Sequence, residues 1–227
     1  MISENLKTVR ENIIKACERA GRNPADVTLL AVSKKKSESD ILEAYNMGQR
    51  VFAENYVQEL TEKMDSLPRD IKWHMIGHLQ RNKVKYVAGR VEMIHSVDSL
   101  RLAEEINSFS LKKGIVTEIL AEVNVAAEEN KFGFTPDEVE EFALKASDLP
   151  AIRLTGLMTS APFVTDPEEN REIFIKIRNL CVDINKKSID NVIMKKLSMG
   201  MTGDYVVAVE EGATHVRVGT AIFGTRS

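Results

Sequence analysis

Three consecutive lysines, Lys34, Lys35 and Lys36, end an apolar run that begins at Thr28 as "TLLAVS". A lysine held in a pocket loses hydration, so its pKa falls, and neighbouring ammonium groups push the same way. The neutral amine that results can attack an aldehyde and form a Schiff base. Alternation does not say which lysine points inward. Leu29 and Ala31 share one face with Ser33 and Lys35, and Leu30 and Val32 share the other with Lys34. The plain alternative is three solvated charges opening the next helix.

Two later stretches have the residue types of a phosphate cradle. "LSMGMTGDY" places Ser198, Gly200, Thr202 and Gly203 between a strand and a helix. Thr202 there is a candidate N-cap, with its hydroxyl at the positive helix end. "HVRVGTAIFG" puts Gly219 and Thr220 after the next strand. If Val216 and Val218 face outer helices, then His215, Arg217 and Gly219 face the interior. A buried Arg needs a ligand or a carboxylate to justify its burial. No metal site is expected. His74 and His78 are four apart but have no Glu in the zincin position, and they read as core packing and mouth polarity. Cys17 and Cys181 are far apart and suggest neither a disulfide framework nor a zinc cluster.

The elements that must position these residues alternate along the 227-residue chain. Leu6, Val9, Ile13, Ile14 and Cys17 recur at helical spacing before Gly21, which predicts an N-terminal helix. Eight strand–helix units follow. The strands fall within "VTLLAVS", "RVFAEN", "IKWHMIG", "EMIHSVD", "TEILAEVNV", "IRLTGLMT", a short "KKLSMG" and "THVRVGT". The segment "LQRNKVKYVAG" reads as a helix between the third and fourth strands. Eight such units in about 200 residues suggest a parallel sheet. An open doubly wound sheet can be built from such units, and eight is the count that closes a (β/α)8 barrel, whose sites lie at the C-terminal strand ends. No linker or repeat divides the chain, so residues 1–227 are expected to form a single domain. The net charge of -3 argues against a general nucleic-acid or anionic-membrane binder. No leader of signal-peptide type and no stretch of membrane-spanning length stands out, which makes a cytoplasmic protein the default.

The stretches "AVSK" at 31–34, "FAENYVQE" at 52–59, "WHMIGHLQRNK" at 73–83, "GLM" at 156–158, "LSMGMT" at 197–202 and "VRVGTAIFGTR" at 216–226 together make the chain resemble the pyridoxal phosphate homeostasis proteins, relatives of the alanine racemase barrel domain. The resemblance implies a single alanine racemase-like barrel of pyridoxal-phosphate fold type III with an extra N-terminal helix. It implies that Lys34 carries the cofactor aldehyde as an internal aldimine and that Asn55 lines the pocket. It further implies that Ser198 and Thr202 contact the phosphate end, that Gly219 and Thr220 complete the cradle, and that Arg217 approaches the pyridine nitrogen. Ala53 stands where the family usually has Gly, and Thr202 where it often has Ser. The segment "AAEENKFGF" at 126–134 departs from the family pattern, and no site residue is drawn from it.

The function this implies is a non-catalytic carrier of pyridoxal 5'-phosphate that acts in vitamin B6 and amino-acid homeostasis. A cationic Arg beside the ring nitrogen disfavours the protonation that the cofactor's electron-sink chemistry uses. A racemase also needs an acid/base on each substrate face, one of which alanine racemases take from a second domain, and this chain stops after its eighth unit. The alternatives are an amino-acid racemase or lyase using Lys34, with Tyr56 as a conceivable acid/base, or an aldolase whose Lys34 attacks a sugar carbonyl. The resemblance further implies a monomer, with partners limited to the small-molecule cofactor and transient contacts with pyridoxal phosphate-dependent enzymes.

Overall fold

Eight parallel strands close into a barrel in the order β1 to β8, with β8 paired back onto β1. The computed structural model describes residues 1–125 and 132–225. The segment at 126–134 therefore lies, for residues 126–131, outside the described residues. The strands are β1 (Thr28–Val32), β2 (Val51–Glu54), β3 (Lys72–Met75), β4 (Met93–Val97), β5 (Thr117–Glu122), β6 (Ile152–Met158), β7 (Val192–Met201) and β8 (His215–Val218). The helices are α1 (Ile2–Arg19), α2 (Glu38–Asn46), α3 (Val57–Ser66), α4 (Val84–Val87), α5 (Leu100–Lys113), α6 (Glu138–Ser147), α7 (Arg171–Lys186), α8 (Tyr205–Glu210) and α9 (Thr220–Phe223).

The N-terminal helix forms as its spacing predicts. Leu6, Val9, Ile13 and Cys17 are buried, and α1 packs on α8 and α9. Ile14 does not join them. It sits a helical step off that stripe and is 43% exposed. Two other expectations are corrected. The segment after β3 is not one helix but a 3-10 turn, Arg81–Lys83, followed by the single turn α4. Between Leu79 and Val84 the segment has no buried residue, too little apolar face for a longer helix. β7 is long, because β6 offers it pairing partners from Val192 onward.

Both faces of the barrel wall are apolar, as expected of a parallel sheet covered by helices. Leu29, Ala31, Phe52, Trp73, Val216 and Val218 belong to the main core with the helices, so they face outward. Leu30, Val32 and Ala53 form a separate cluster inside the barrel, and Met93, Leu120 and Met158 form another. No described helix is long and apolar enough to cross a membrane. Among the described residues, no group of three or more His, Cys, Asp or Glu side chains is placed to hold a metal ion.

Candidate cofactor site at the barrel mouth

Closure of the barrel separates the three lysines. Leu30 and Val32 face inward, and Lys34 continues that face past the end of β1 into a cavity of about 490 Å³ at the C-terminal mouth. Lys35 is exposed and turns the chain with a left-handed φ of 59°. Lys36 points elsewhere, donating its Nζ to Phe223 O at 3.1 Å and Gly224 O at 3.3 Å beside the end of α9. The same cavity is lined by Asn55, Thr202, Arg217, Gly219 and Thr220, so six of the seven expected site residues meet in one place. Ser198 does not line it. Its side chain is fully buried one layer below, with its hydroxyl engaged by Arg217 and His95.

On the β2 side, Asn55 is seated by a close backbone approach. A Cβ on Gly77 would lie 2.3 Å from Asn55 O, so only glycine lets the chain after β3 pass there. The Ser96 hydroxyl donates to Gly77 O at 2.6 Å and holds it in place. Asn55 Oδ1 is buried with no hydrogen-bond donor. An unsatisfied buried acceptor is costly unless a ligand supplies the donor.

The phosphate-type end differs from the expected N-cap. Asp204, not Thr202, holds the N-cap position of α8, and the Thr202 hydroxyl instead accepts from Gly219 N at 3.3 Å and Ala221 N at 3.4 Å across the barrel seam. Thr202 thus joins the β7 loop to the start of α9. Gly200 makes the turn at φ 89°, where a Cβ would come 2.5 Å from Ala208 Cβ. Asp204, which sequence reasoning missed, holds this loop. Its carboxylate accepts from Met201 N at 2.6 Å and from Asn170 Nδ2 at 2.9 Å. Asn170 also donates to Pro162 O at 3.0 Å, which ties the β6–α7 loop to the same post.

Arg217 is inward as alternation predicts, and it is 5% exposed. Among the described residues no carboxylate bonds it. It donates to Ser198 O at 2.7 Å, Ser198 Oγ at 2.8 Å, Thr159 O at 2.8 Å and Ser160 Oγ at 3.3 Å. Burial lowers its pKa to about 10, with Glu122 and Asp204 pulling the other way, so it stays cationic at neutral pH. Burial, reinforced by Asp98, raises the Glu122 carboxyl to about 7, while Arg217 and His78 draw it back. His78 pairs with Asp98 at 2.8 Å on the opposite side of the mouth.

Below Arg217 a hydrogen-bond chain runs through the barrel interior. Arg217 donates to the Ser198 hydroxyl, which also bonds His95 Nδ1 at 2.8 Å. His95 Nε2 in turn shares a hydrogen bond of 2.8 Å with His74 Nδ1. His74 is therefore core, as expected, and His95 is a partner that nothing local in "EMIHSVD" reveals.

These buried imidazoles predict an acid sensitivity. Burial first, then neighbouring cations, lowers His74 to about 3 and His215 to about 4, and burial sets His95 well below 6.5. Each folded pKa lies below the unfolded value of 6.5, so the unfolded chain takes up protons first as pH falls. The stability from the neutral rings is full above that value and drains as pH drops toward 4 and 3. Each ring contributes a slope of up to roughly 1.4 kcal/mol per pH unit. Melting temperatures measured from about pH 7 down to about pH 5 should fall steadily. A flat profile would contradict neutral buried histidines.

With this geometry in place, comparison with known proteins is informative. The model of the alanine racemase N-terminal domain matches residues 5–227. The pyridoxal phosphate homeostasis protein of Aquifex aeolicus is 46% identical over 224 residues, covering 98% of this chain and 97% of that protein. The structure of PipY from Synechococcus elongatus with pyridoxal phosphate bound superposes with a TM-score of 0.84 at 32% identity, covering 99% of this chain and all of that one. Alanine racemase from Corynebacterium glutamicum shares the fold, at a TM-score of 0.67 and 16% identity over 97% of this chain and 62% of that one.

Proposed function

The chain belongs to the alanine racemase N-terminal-domain family, and from that premise we propose that it binds pyridoxal 5'-phosphate and holds it reversibly for use elsewhere, in intracellular vitamin B6 homeostasis. One observation carries the reading. Residues from the ends of β1, β2, β7 and β8 meet around a single cavity that offers an amine, a fixed cation, hydroxyl and N–H donors, and an acceptor with no partner. The donor set fits a phosphorylated aldehyde with a ring between its two ends.

Capture is a condensation at Lys34. The Nζ attacks the aldehyde carbon, C=N replaces C=O, and one water leaves; water reverses it. Thr202, Gly219 and Thr220 would hold the phosphate. Arg217 would face the ring, fixed by its bonds to Ser198 and Thr159. Asn55 Oδ1 would accept from a polar group of the ring or the new linkage. Bound pyridoxal phosphate supplies an electron sink for amino-acid chemistry when its ring nitrogen is protonated. Arg217, cationic at neutral pH, opposes that protonation and so limits electron-sink chemistry at this site.

Titration of the purified protein with pyridoxal 5'-phosphate should produce a saturable visible band that an added amine competitor removes. Thr220→Val should weaken the phosphorylated ligand and leave unphosphorylated pyridoxal nearly unchanged. Losing a hydrogen bond to a charged group costs roughly 1.5–3 kcal/mol, or about ten- to hundredfold in affinity. Equal weakening of both ligands would mean that the phosphate end lies elsewhere. Steady turnover of a free amino acid on the order of 1 per second would favour the enzymatic alternative.

A further inference from the structure

Lys63, on α3, is 6% exposed and its ammonium has three acceptors: Ser33 O at 2.7 Å, Glu54 Oε1 at 2.7 Å and Glu59 Oε1 at 2.6 Å. Glu54 is fully buried on the outer face of β2, beneath α3. The bonds of this cluster end on both sides of Lys34. The Ser33 hydroxyl donates to Glu54 Oε1 at 2.6 Å, the Ser33 carbonyl accepts from Lys63, and Lys35 N donates to Glu59 Oε1 at 2.5 Å. Glu54 also directly precedes Asn55, the other pocket residue with an unusual environment.

An ion cluster in a protein interior is no better for stability than a well-packed apolar wall. Its presence here calls for a reason beyond packing, and its hydrogen bonds supply one. Lys35 holds a left-handed φ of 59° that a residue with a side chain adopts only when its surroundings impose it. Its N–H is tied to Glu59, and its neighbour Lys36 N closes a turn onto Ser33 O at 3.0 Å. With Ser33 and Lys35 both pinned, the backbone of Lys34 has little freedom. Lys34 lines the cavity from a turn held from behind the barrel wall.

We propose that Glu54, Glu59 and Lys63 act as positioning residues for Lys34, a clamp that sets the attack geometry of its amine without touching the ligand. The proposal rests on Lys34 as the capturing amine. It makes a distinction that a general stabilising role does not. Attack on an aldehyde needs the amine in a narrow range of distance and angle. Holding the phosphate and ring does not.

The test compares two ligands, pyridoxal 5'-phosphate and pyridoxine 5'-phosphate, whose alcohol cannot form the C=N bond. Lys63→Met keeps the length and the burial but removes the three hydrogen bonds. It should lower the affinity for the aldehyde, and the rate at which the visible band appears, by about tenfold or more, while pyridoxine 5'-phosphate binds as it does to wild type. Glu59→Gln retains an acceptor for Lys35 N and should keep most of the aldehyde affinity, whereas Glu59→Leu should show the same split as Lys63→Met. Glu59 lies at the margin of the cluster, with 22% of its side chain exposed, so Glu59→Leu serves if Lys63→Met fails to fold. Equal weakening of both ligands, or unchanged capture of the aldehyde in Glu59→Leu, would overturn the clamp. A wild-type protein that does not prefer the aldehyde to the alcohol would overturn the assignment of Lys34 itself, and the two failures are distinguishable.

Discussion

Lys34→Ala is expected to fold normally and to show no visible band with pyridoxal 5'-phosphate. The side chain is partly exposed at the barrel mouth, beyond the end of β1, and belongs to neither inner apolar cluster. Its removal should leave both apolar clusters and the fold intact. The covalent link should be lost completely, because neither neighbour can take its place. Lys35 is turned out by its left-handed backbone, and Lys36 is engaged with Phe223 O and Gly224 O. Borohydride reduction of the loaded wild-type protein followed by peptide mass mapping should place the pyridoxyl group on Lys34. A pyridoxyl mass on any other lysine, or an undiminished band in Lys34→Ala, would reject the assignment. Residual noncovalent binding is expected in the variant, since Thr202, Gly219 and Thr220 are untouched.

The second large effect is on stability. Arg217→Glu should lower the melting temperature sharply even without ligand. The guanidinium satisfies Ser198 O, Ser198 Oγ, Thr159 O and Ser160 Oγ in a site that is 5% exposed. A carboxylate there cannot donate, so the carbonyls Ser198 O and Thr159 O lose their donor, and a negative charge replaces a positive one in a buried site. Each buried acceptor left without a donor costs about 1–3 kcal/mol, so the pair costs about 2–6 kcal/mol. For a chain of this size that is roughly 4–24 °C in melting temperature. The hydrogen-bond chain should suffer too, because the Ser198 hydroxyl that bonds His95 loses the donor Arg217 gives it. Arg217→Lys keeps the charge and some of the donors, so it should fall between the two. A melting temperature for Arg217→Glu within about 2 °C of wild type would show that the arginine is not held as described. For the same reason Arg217→Glu is a poor probe of the cofactor spectrum, and Arg217→Lys is the better one.

Much of this was legible before the chain folded. Strand–helix alternation is a local property of hydrophobic period and Gly placement, and eight units lead to a closed barrel because strands of this kind must be covered on both faces. The turns that line the cavity on the β7 and β8 side were legible for a similar reason. Gly200, Thr202, Gly219 and Thr220 stand at strand ends, where the residue types themselves report a tight turn and exposed donors. Arg217 could be placed inward because Val216 and Val218 mark the other face as apolar, and the structure puts them there.

Other features depend on what closure brings together. The inward lysine could not be read from "TLLAVSKKK", since Leu29 and Ala31 are as apolar as Leu30 and Val32. Only the partition of those pairs between the helix layer and the barrel interior selects Lys34. Ser198 looked like a phosphate ligand by its position, but strand pairing sinks it a layer below the cavity, where Arg217 and His95 use its hydroxyl. Thr202 looked like a cap for its own helix, and the seam between β7 and β8 gives it the N–H groups of another. The clamp of Glu54, Glu59 and Lys63 had no signature, because in the sequence they are a carboxylate at a strand end and two of the many charges of the helix after it. Sequence by itself determines the period, the turns and the chemistry available at each strand end. Which side chain meets which partner is decided by barrel closure, because hydrogen bonds between strands depend on register and tilt that no single strand encodes.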